Sequence, residues 1–428
     1  MKRKFISFPT NNILYFKRQM LHWINQFSIC CLLDNHQYQS AYNSYECLAG
    51  AGFISCFKAQ TGTALKAFQN FCDLQSDWLF GHLSYDLKNE TEGVTSANFD
   101  GIGFDDILFF VPQYVFYVSA NQVQIGSLQN DHEKIYSEIS SININQPYLK
   151  ALPVIKQRIT RDEYIQNVIS LQKHILRGDC YEINYCQEFF SQGFSINPVG
   201  VYASLNKISP NPFSCFYKTD NKYLLCASPE RYLKKQLNKV LSQPIKGTWP
   251  RNRIDALKDI ENKNLLFTSE KDRSENVMVV DLVRNDLSKI CKEGTVTVEE
   301  LFGVYTYPQV HQMISTVSGE LREGISISEI ISSTFPMGSM TGAPKHKVLE
   351  LIEKYEKTKR GLFSGAVGYI TPTGDFDFNV VIRSILYNSD HKYLSYQTGS
   401  GITYYSDAEK EYDECLLKAE AIKEVLGP

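Results

Sequence analysis

Apolar, aromatic-rich segments separated by short polar runs mark the first third of the chain. Gln113-Tyr-Val-Phe-Tyr-Val118 and Val123-Gln-Ile125 flank the polar run Ser-Ala-Asn-Gln, a pattern that predicts strand, turn, strand and an antiparallel sheet. Near the other end the period changes. Tyr412, Cys415, Leu416, Ala419, Ile422 and Leu426 recur at helical spacing and form one apolar stripe, with Ser406 and Glu409 spaced as a capping box at its start. Glu411, Glu414 and Lys418 run beside that stripe. A second helix is predicted over residues 268–281, where Asp272 and Glu275, three apart, share a face.

The polar stretch Ser140-Ser-Ile-Asn-Ile-Asn-Gln-Pro147 reads as a connection. It divides the chain into a β-rich region, 1–150, and a larger unit, 151–428. In the larger unit helices and strands alternate irregularly, without the even strand-helix pairs of a parallel, doubly wound sheet, so the expected fold class is α+β.

Composition narrows the function classes. The 428 residues are 43% hydrophobic, ample for a large core. Lys plus Arg total 44 against 47 for Asp plus Glu, and a formal charge of -3 leaves no basic surplus to hold a nucleic-acid backbone. The basic start breaks at Pro9 and Asn11 before a signal-like apolar run develops, and no apolar stretch of about eighteen residues follows. The expected location is therefore the cytoplasm, with no membrane partner. Eleven cysteines without a Cys-x-x-Cys pair suit small buried hydrophobes in a reducing compartment.

The acid pairs Asp272 with Glu275 and Glu411 with Glu414 offer the oxygen ligands a hard cation such as Mg²⁺ takes. With Lys271, Arg273, Lys410 and Lys418 beside them, they equally fit a solvated, salt-bridged face. Lys246 stands between Pro244-Ile245 and Gly247 on a constrained backbone. If that backbone is buried, desolvation lowers the pKa of Lys246 and supplies the neutral amine of a nucleophile, with Glu230 to protonate a leaving group; a surface turn is the plainer alternative. Residues 336–345, residues 397–403 and Val381-Ile-Arg383-Ser384 read as anion binders. Glycine lets N–H groups approach an anion, and an arginine in an apolar strand needs a negative partner. Tight turns and an internal salt bridge are the alternatives there. His311 is by default a hydrogen-bonded core histidine that could also touch a ligand hydroxyl.

The motifs form a longer series: Gly178-Asp-Cys-Tyr-Glu-Ile-Asn184, Ser228-Pro-Glu-Arg231, Pro244-Ile-Lys-Gly-Thr248, Lys271-Asp-Arg-Ser-Glu-Asn276 running on to Val283-Arg-Asn-Asp286, Gly338-Ser-Met-Thr-Gly-Ala-Pro-Lys345 and Glu411-Tyr-Asp-Glu-Cys415. In this order they resemble the chorismate-binding enzymes, which comprise the anthranilate, aminodeoxychorismate, isochorismate and salicylate synthases. The resemblance spans roughly residues 155 to 425. It implies large antiparallel sheets packed as a sandwich with helices outside, and Mg²⁺ as cofactor. Glu275 and Glu414 would be the direct ligands, with Asp272 and Glu411 nearby or acting through water. Thr248, His311, Thr341, Tyr369, Arg383, Gly399, Ser400, Gly401 and Lys418 would line the chorismate pocket.

Lysine at position 246 resembles the aminodeoxychorismate branch, since anthranilate synthases usually carry alanine there. The isochorismate and salicylate synthases use a lysine base where this chain has Glu182, which argues against water addition; the aminodeoxychorismate branch commonly has glutamine at that position. The resemblance therefore implies a component I that aminates chorismate through a covalent Lys246 intermediate, with Glu230 as the acid. No glutaminase nucleophile turn stands apart from the chorismate motifs, so a glutamine amidotransferase subunit is the expected ammonia source. A separate aminodeoxychorismate lyase would carry the product toward p-aminobenzoate and folate. The competing readings are an anthranilate synthase, which releases pyruvate, and a non-catalytic regulatory or scaffold subunit.

Overall fold

In the strand Ile29–Asp34, Ile29 and Cys31 enter one hydrophobic core and Cys30 and Leu32 enter another, the two-residue period of a strand buried on both faces. The neighbouring strand Phe213–Thr219 divides likewise, with Cys215 and Tyr217 on one side and Phe216 on the other. The computed structural model describes residues 2–427 apart from 39–41, 43, 44, 120, 145–151, 308 and 309. Among these, the two strands lie mid-way across a 12-stranded sheet, and a 10-stranded sheet packs against one of its faces. Phe80, Phe109, Val367 and Phe378 of the second sheet fill the core between them.

The far face of the larger sheet is covered by helices. Ile13–Ile24 contributes Phe16 and Met20, Arg161–Leu176 contributes Tyr164 and Val168, and Ala408–Lys418 contributes Tyr412 and Cys415. The result is the expected α+β sandwich with helices outside. The hairpin read from residues 113–125 forms as strands Tyr114–Ser119 and Gln122–Ser127. The boundary expected near residue 150 lies outside the described residues. Strands from either side of it share both sheets: Ile29–Asp34 pairs with Phe213–Thr219, and Leu79–Leu83 pairs with Ala366–Ile370.

Two helix boundaries differ from expectation. The acid-bearing helix runs Glu270–Ser288 and starts at Ser269, whose hydroxyl accepts from the Asp272 N–H. The C-terminal stripe forms two helices, Ala408–Lys418 and Glu420–Leu426, and the first is capped by Asp407 rather than by Ser406. Asp407 Oδ1 accepts from the N–H groups of Glu409 and Lys410, and its negative charge complements the helix dipole. Ser406 instead accepts from the Thr403 N–H. Among the described residues no helix is long and apolar enough to cross a membrane.

Candidate active site

An ion pair bridges the two sheets where their ends meet. Strand Ile245–Pro250, at the edge of the smaller sheet, is bulged: Ile245 pairs with Ile314 and Thr248 with Gln312, so an extra residue is accommodated between them. Gly247 supplies the bulge with a φ of +91°, and a Cβ there would also crowd Asp272 at 3.0 Å. The bulge aims Lys246 at the larger sheet. Its Nζ donates to Glu182 Oε1 at 2.5 Å, with the two side chains 10% and 3% exposed. Glu182 opens the strand Glu182–Gln192, which pairs with Tyr393–Ile402. On that partner strand Gly401 makes the room: a Cβ there would stand 2.8 Å from Lys246 Nζ and 2.9 Å from Glu182 Oε1.

This arrangement corrects the expected neutral amine. Burial works against the charge on Lys246, but Glu182, Glu275 and Glu414 together outweigh it and hold its pKa above the usual lysine value. Sequence reasoning missed this partnership. The available signal was an acid beginning a strand that carries Ile183, Tyr185, Phe189 and Phe190, since such an acid needs a counter-charge once buried.

The four acids of the two helices gather around the pair. Lys271 Nζ lies 3.2 Å from Glu411 Oε1 and 3.8 Å from Glu275 Oε1. Lys418 Nζ lies 2.8 Å from Glu414 Oε1 and donates to the Gly399 carbonyl at 2.9 Å. The Trp249 indole N–H donates to Asp272 Oδ2. Burial raises the Glu275 pKa to about 7 against the opposing pull of Lys246, whereas Lys418 draws Glu414 below its ordinary value. Lys271 thus forms the ion pairs that its place beside the acids suggests in the sequence.

Glu230 sits where the chain crosses from strand Lys222–Ser228 of the larger sheet to strand Arg231–Gln236 of the smaller. Its carboxyl is buried, which raises its pKa to about 7 while Ser339, Lys246, the Ile245 N–H and Arg383 oppose the shift. Arg383 lies in the connection before strand Ser384–Asn388, with a φ of 50°, not inside an apolar strand as expected. Among the described residues no hydrogen bond or ion pair engages its guanidinium. Burial lowers its pKa, with Tyr307 and Glu230 pulling the other way. A half-buried guanidinium with no such partner is suited to receive an anion.

The remaining expected residues divide into two groups. Thr341 is buried; its carbonyl accepts from the Asn184 N–H at 2.8 Å, and its hydroxyl donates to Met337 O. Thr248 is half-buried two residues beyond Lys246. Gly399, Ser400 and Gly401 lie inside a strand, not in a turn, and the Ser400 hydroxyl is 3.3 Å from the Tyr164 hydroxyl. His311 is committed elsewhere: its ring nitrogens lie 3.1 Å from Thr306 Oγ1 and 3.1 Å from Asp259 Oδ1. Tyr369 is not brought to the cluster. It packs against Tyr45, Trp78 and Phe80 and lines a separate cavity with Asp34, Ser214 and Arg231.

Among the described residues no three His, Cys, Asp or Glu side chains converge closely enough, as they stand, to hold a metal. Mg²⁺ asks for less, typically one or two carboxylates with water and substrate oxygens completing its shell. Glu275 Oε1 and Glu411 Oε2 are buried oxygens with no hydrogen-bond partner, and nearby lysines supply the positive charge. Orphaned carboxylate oxygens on facing helices fit a hard cation.

Comparison with known proteins identifies the family. The family described as chorismate binding enzyme matches residues 14–424, and the chain belongs to that family. Its sequence is 30% identical over 361 residues to a protein of Bacillus subtilis (strain 168) named aminodeoxychorismate synthase component 1, covering 81% of this chain and 76% of that one. It is 37% identical over 271 residues to anthranilate synthase component 1 of Saccharolobus solfataricus, covering 63% of each chain. Two plant proteins named aminodeoxychorismate synthase, from Oryza sativa subsp. japonica and Arabidopsis thaliana, are matched over 32% and 43% of their lengths. Among solved structures, anthranilate synthase component I from Streptococcus pneumoniae TIGR4 superposes with a TM-score of 0.78 at 23% identity, over 92% of this chain and 95% of that one.

Proposed function

We propose that this chorismate-utilising enzyme aminates its substrate, converting chorismate and ammonia into 4-amino-4-deoxychorismate. The observation that carries the reading is the Lys246 amine, bulged out of one sheet into a buried cluster that an anthranilate-forming reaction does not require. Unprotonated Lys246 attacks ring carbon C2. The C1–C2 π pair shifts to C1–C6, the C5–C6 pair to C4–C5, and the C4–O bond breaks. The hydroxyl leaves as water with a proton from Glu230, whose raised pKa keeps that proton available near neutrality. Ammonia then adds at C4, the two π pairs return, and the C2–N bond breaks to restore the lysine with its electron pair. The new amine returns a proton to Glu230, and the enolpyruvyl group stays in place.

Arg383, Lys418, Thr248, Thr341, Ser400 and the backbone at Gly399 and Gly401 orient the substrate in this reading. Arg383 takes a carboxylate, the anion that its unpaired guanidinium invites. Glu275 and Glu414, with Asp272 and Glu411 nearby or through water, would hold Mg²⁺, whose charge when bound anchors the ring carboxylate and offsets charge as electrons shift. His311 joins only if it exchanges Asp259 for a substrate hydroxyl.

A glutamine amidotransferase subunit supplies the ammonia, in keeping with the words "component 1" in the names of relatives. A lyase consumes the product on the way to p-aminobenzoate and folate, and the setting is cytoplasmic. The second reading, an anthranilate synthase, is favoured by the 37% match to the Saccharolobus protein. One assay separates them: purified chain, chorismate, Mg²⁺ and excess ammonium, followed by mass spectrometry and a pyruvate assay. Aminodeoxychorismate without pyruvate supports the proposal and prompt pyruvate supports the anthranilate reaction. Unchanged chorismate supports a scaffold and overturns both.

A further inference from the structure

Lys246 is useful as a nucleophile only after losing a proton, and the cluster around it holds the amine protonated. We infer that Glu182 is the base that takes this proton, making Lys246 and Glu182 a working pair. The inference deepens the reading just given and rests on it.

Among the acids near Lys246, Glu182 is the one in contact. Its Oε1 lies 2.5 Å from Nζ, closer than the roughly 2.7–2.9 Å usual for an ammonium–carboxylate hydrogen bond, a direct contact along which a proton moves without rearrangement. Glu275 and Glu414 act on Lys246 through space, from the helices Glu270–Ser288 and Ala408–Lys418, and Glu230 is bonded to Ser339 and the Ile245 backbone. The second oxygen, Glu182 Oε2, is buried and has no hydrogen-bond partner. Such an oxygen makes a protonated carboxyl easier to accommodate than a carboxylate whose lone pairs are all engaged. Gly401 walls the pair on one side, leaving no space there for a side chain that would separate the two groups.

The step balances without another reactant. The Glu182 carboxylate accepts a proton from the Lys246 ammonium. The freed nitrogen pair forms the bond to C2, and Glu230 gives its proton to the departing hydroxyl. When ammonia displaces the lysine, the returning amine recovers its proton from Glu182. Proton transfer within the pair also removes the Glu182 share of the electrostatic hold on the amine, so release of the nucleophile and loss of its nearest restraint are one event.

The test compares the wild type with Glu182→Gln and Glu182→Asp in the ammonium-dependent reaction. Reading each variant as a ratio to the wild type at every pH cancels the ionisation of ammonia itself. The glutamine variant keeps the shape and a hydrogen-bond acceptor but cannot take the proton. Its ratio is expected to fall at least about a hundredfold near neutrality and to climb with pH, because the proton must then go to solvent. The aspartate variant, with a carboxylate on a shorter arm, recovers part of the loss. If the glutamine variant is as fast as the wild type or faster, Glu182 merely restrains the lysine and the inference fails. Equal depression of both variants at every pH also overturns it, since that is the mark of a packing role. If glutamine unfolds the chain, shown by loss of its cooperative melt, Glu182→Ala takes its place, and an alanine ratio that is independent of pH and no lower than the aspartate ratio contradicts a base. A wild type that makes no aminodeoxychorismate overturns the reading of the previous section and this one together. An active wild type with unchanged variants overturns this one alone.

Discussion

The indole of Trp249 donates to Asp272 Oδ2 across 3.3 Å, which sets a fluorophore against one of the four acids. The chain has 3 tryptophans, and Trp23 and Trp78 are buried in the cores, away from these helices. Titration with Mg²⁺ alone is expected to change tryptophan emission saturably. Trp249→Phe should abolish the signal, and Glu275→Gln should weaken the apparent affinity about tenfold or more. An emission change that persists in Trp249→Phe would place the cation elsewhere.

Gly401 leads to a different kind of outcome. Its backbone is ordinary strand, so alanine fits the conformation, yet the added methyl meets the far ends of Lys246 and Glu182. Flexible tips can move, so the thermal midpoint of Gly401→Ala should shift only a little. The displaced amine should lower amination by roughly a hundredfold, because reacting atoms misplaced by about an ångström lose that much. Steady-state rates alongside a melt check both halves.

The sequence pattern reaches some of this organisation and stops at recognisable points. Asp272 and Glu275 share a helical face because their spacing requires it, and the hairpin at residues 114–127 follows from two apolar runs flanking a short polar turn. Long-range pairing is invisible to such arguments. Nothing local says that Ile29–Asp34 lies beside Phe213–Thr219, nor that Lys246 meets an acid 64 residues earlier in the chain. The family resemblance alone puts Tyr369 in the pocket, but its side chain follows the aromatic packing of Tyr45 and Trp78. Ser406 has the Glu409 of a capping box, but the adjacent Asp407 is an equally good N-cap residue and takes the cap while the Ser406 hydroxyl accepts from the Thr403 N–H.

Glu230 makes stability depend on pH with a defined sign. Its carboxyl moves from an ordinary 4.5 to about 7 on burial, so the folded protein binds this proton more tightly than the unfolded chain does. The associated stability is fully present below the lower value and is lost as pH rises through the upper one. In Glu230→Gln that loss is absent. The fall in unfolding free energy between about pH 5 and pH 8 should therefore be smaller than in the wild type by about 1–3 kcal/mol. Urea midpoints at the two pH values measure it, and amination by the variant should drop by about a hundredfold or more.

Arg360 and Glu356 join one helix end to the strands that carry the cluster. The guanidinium is doubly bonded to the carboxylate, at 2.6 Å and 3.0 Å, and also donates to the carbonyls of Met340 and Asn184. Glu356 Oε1 accepts the Cys186 N–H, so both charges are tied to backbone flanking Glu182 and Thr341. Removing one partner of such a buried pair strands the other charge, which costs about 3–5 kcal/mol. Arg360→Met should lower the unfolding free energy by that amount in urea. Adding Glu356→Leu removes the stranded carboxylate but leaves the two carbonyls and one N–H short of partners, at about 1–3 kcal/mol for each that stays dry. The double variant should consequently be less stable than the wild type but no worse than Arg360→Met alone. Strictly additive losses would mean that the two charges contribute independently, contrary to the geometry that ties them together.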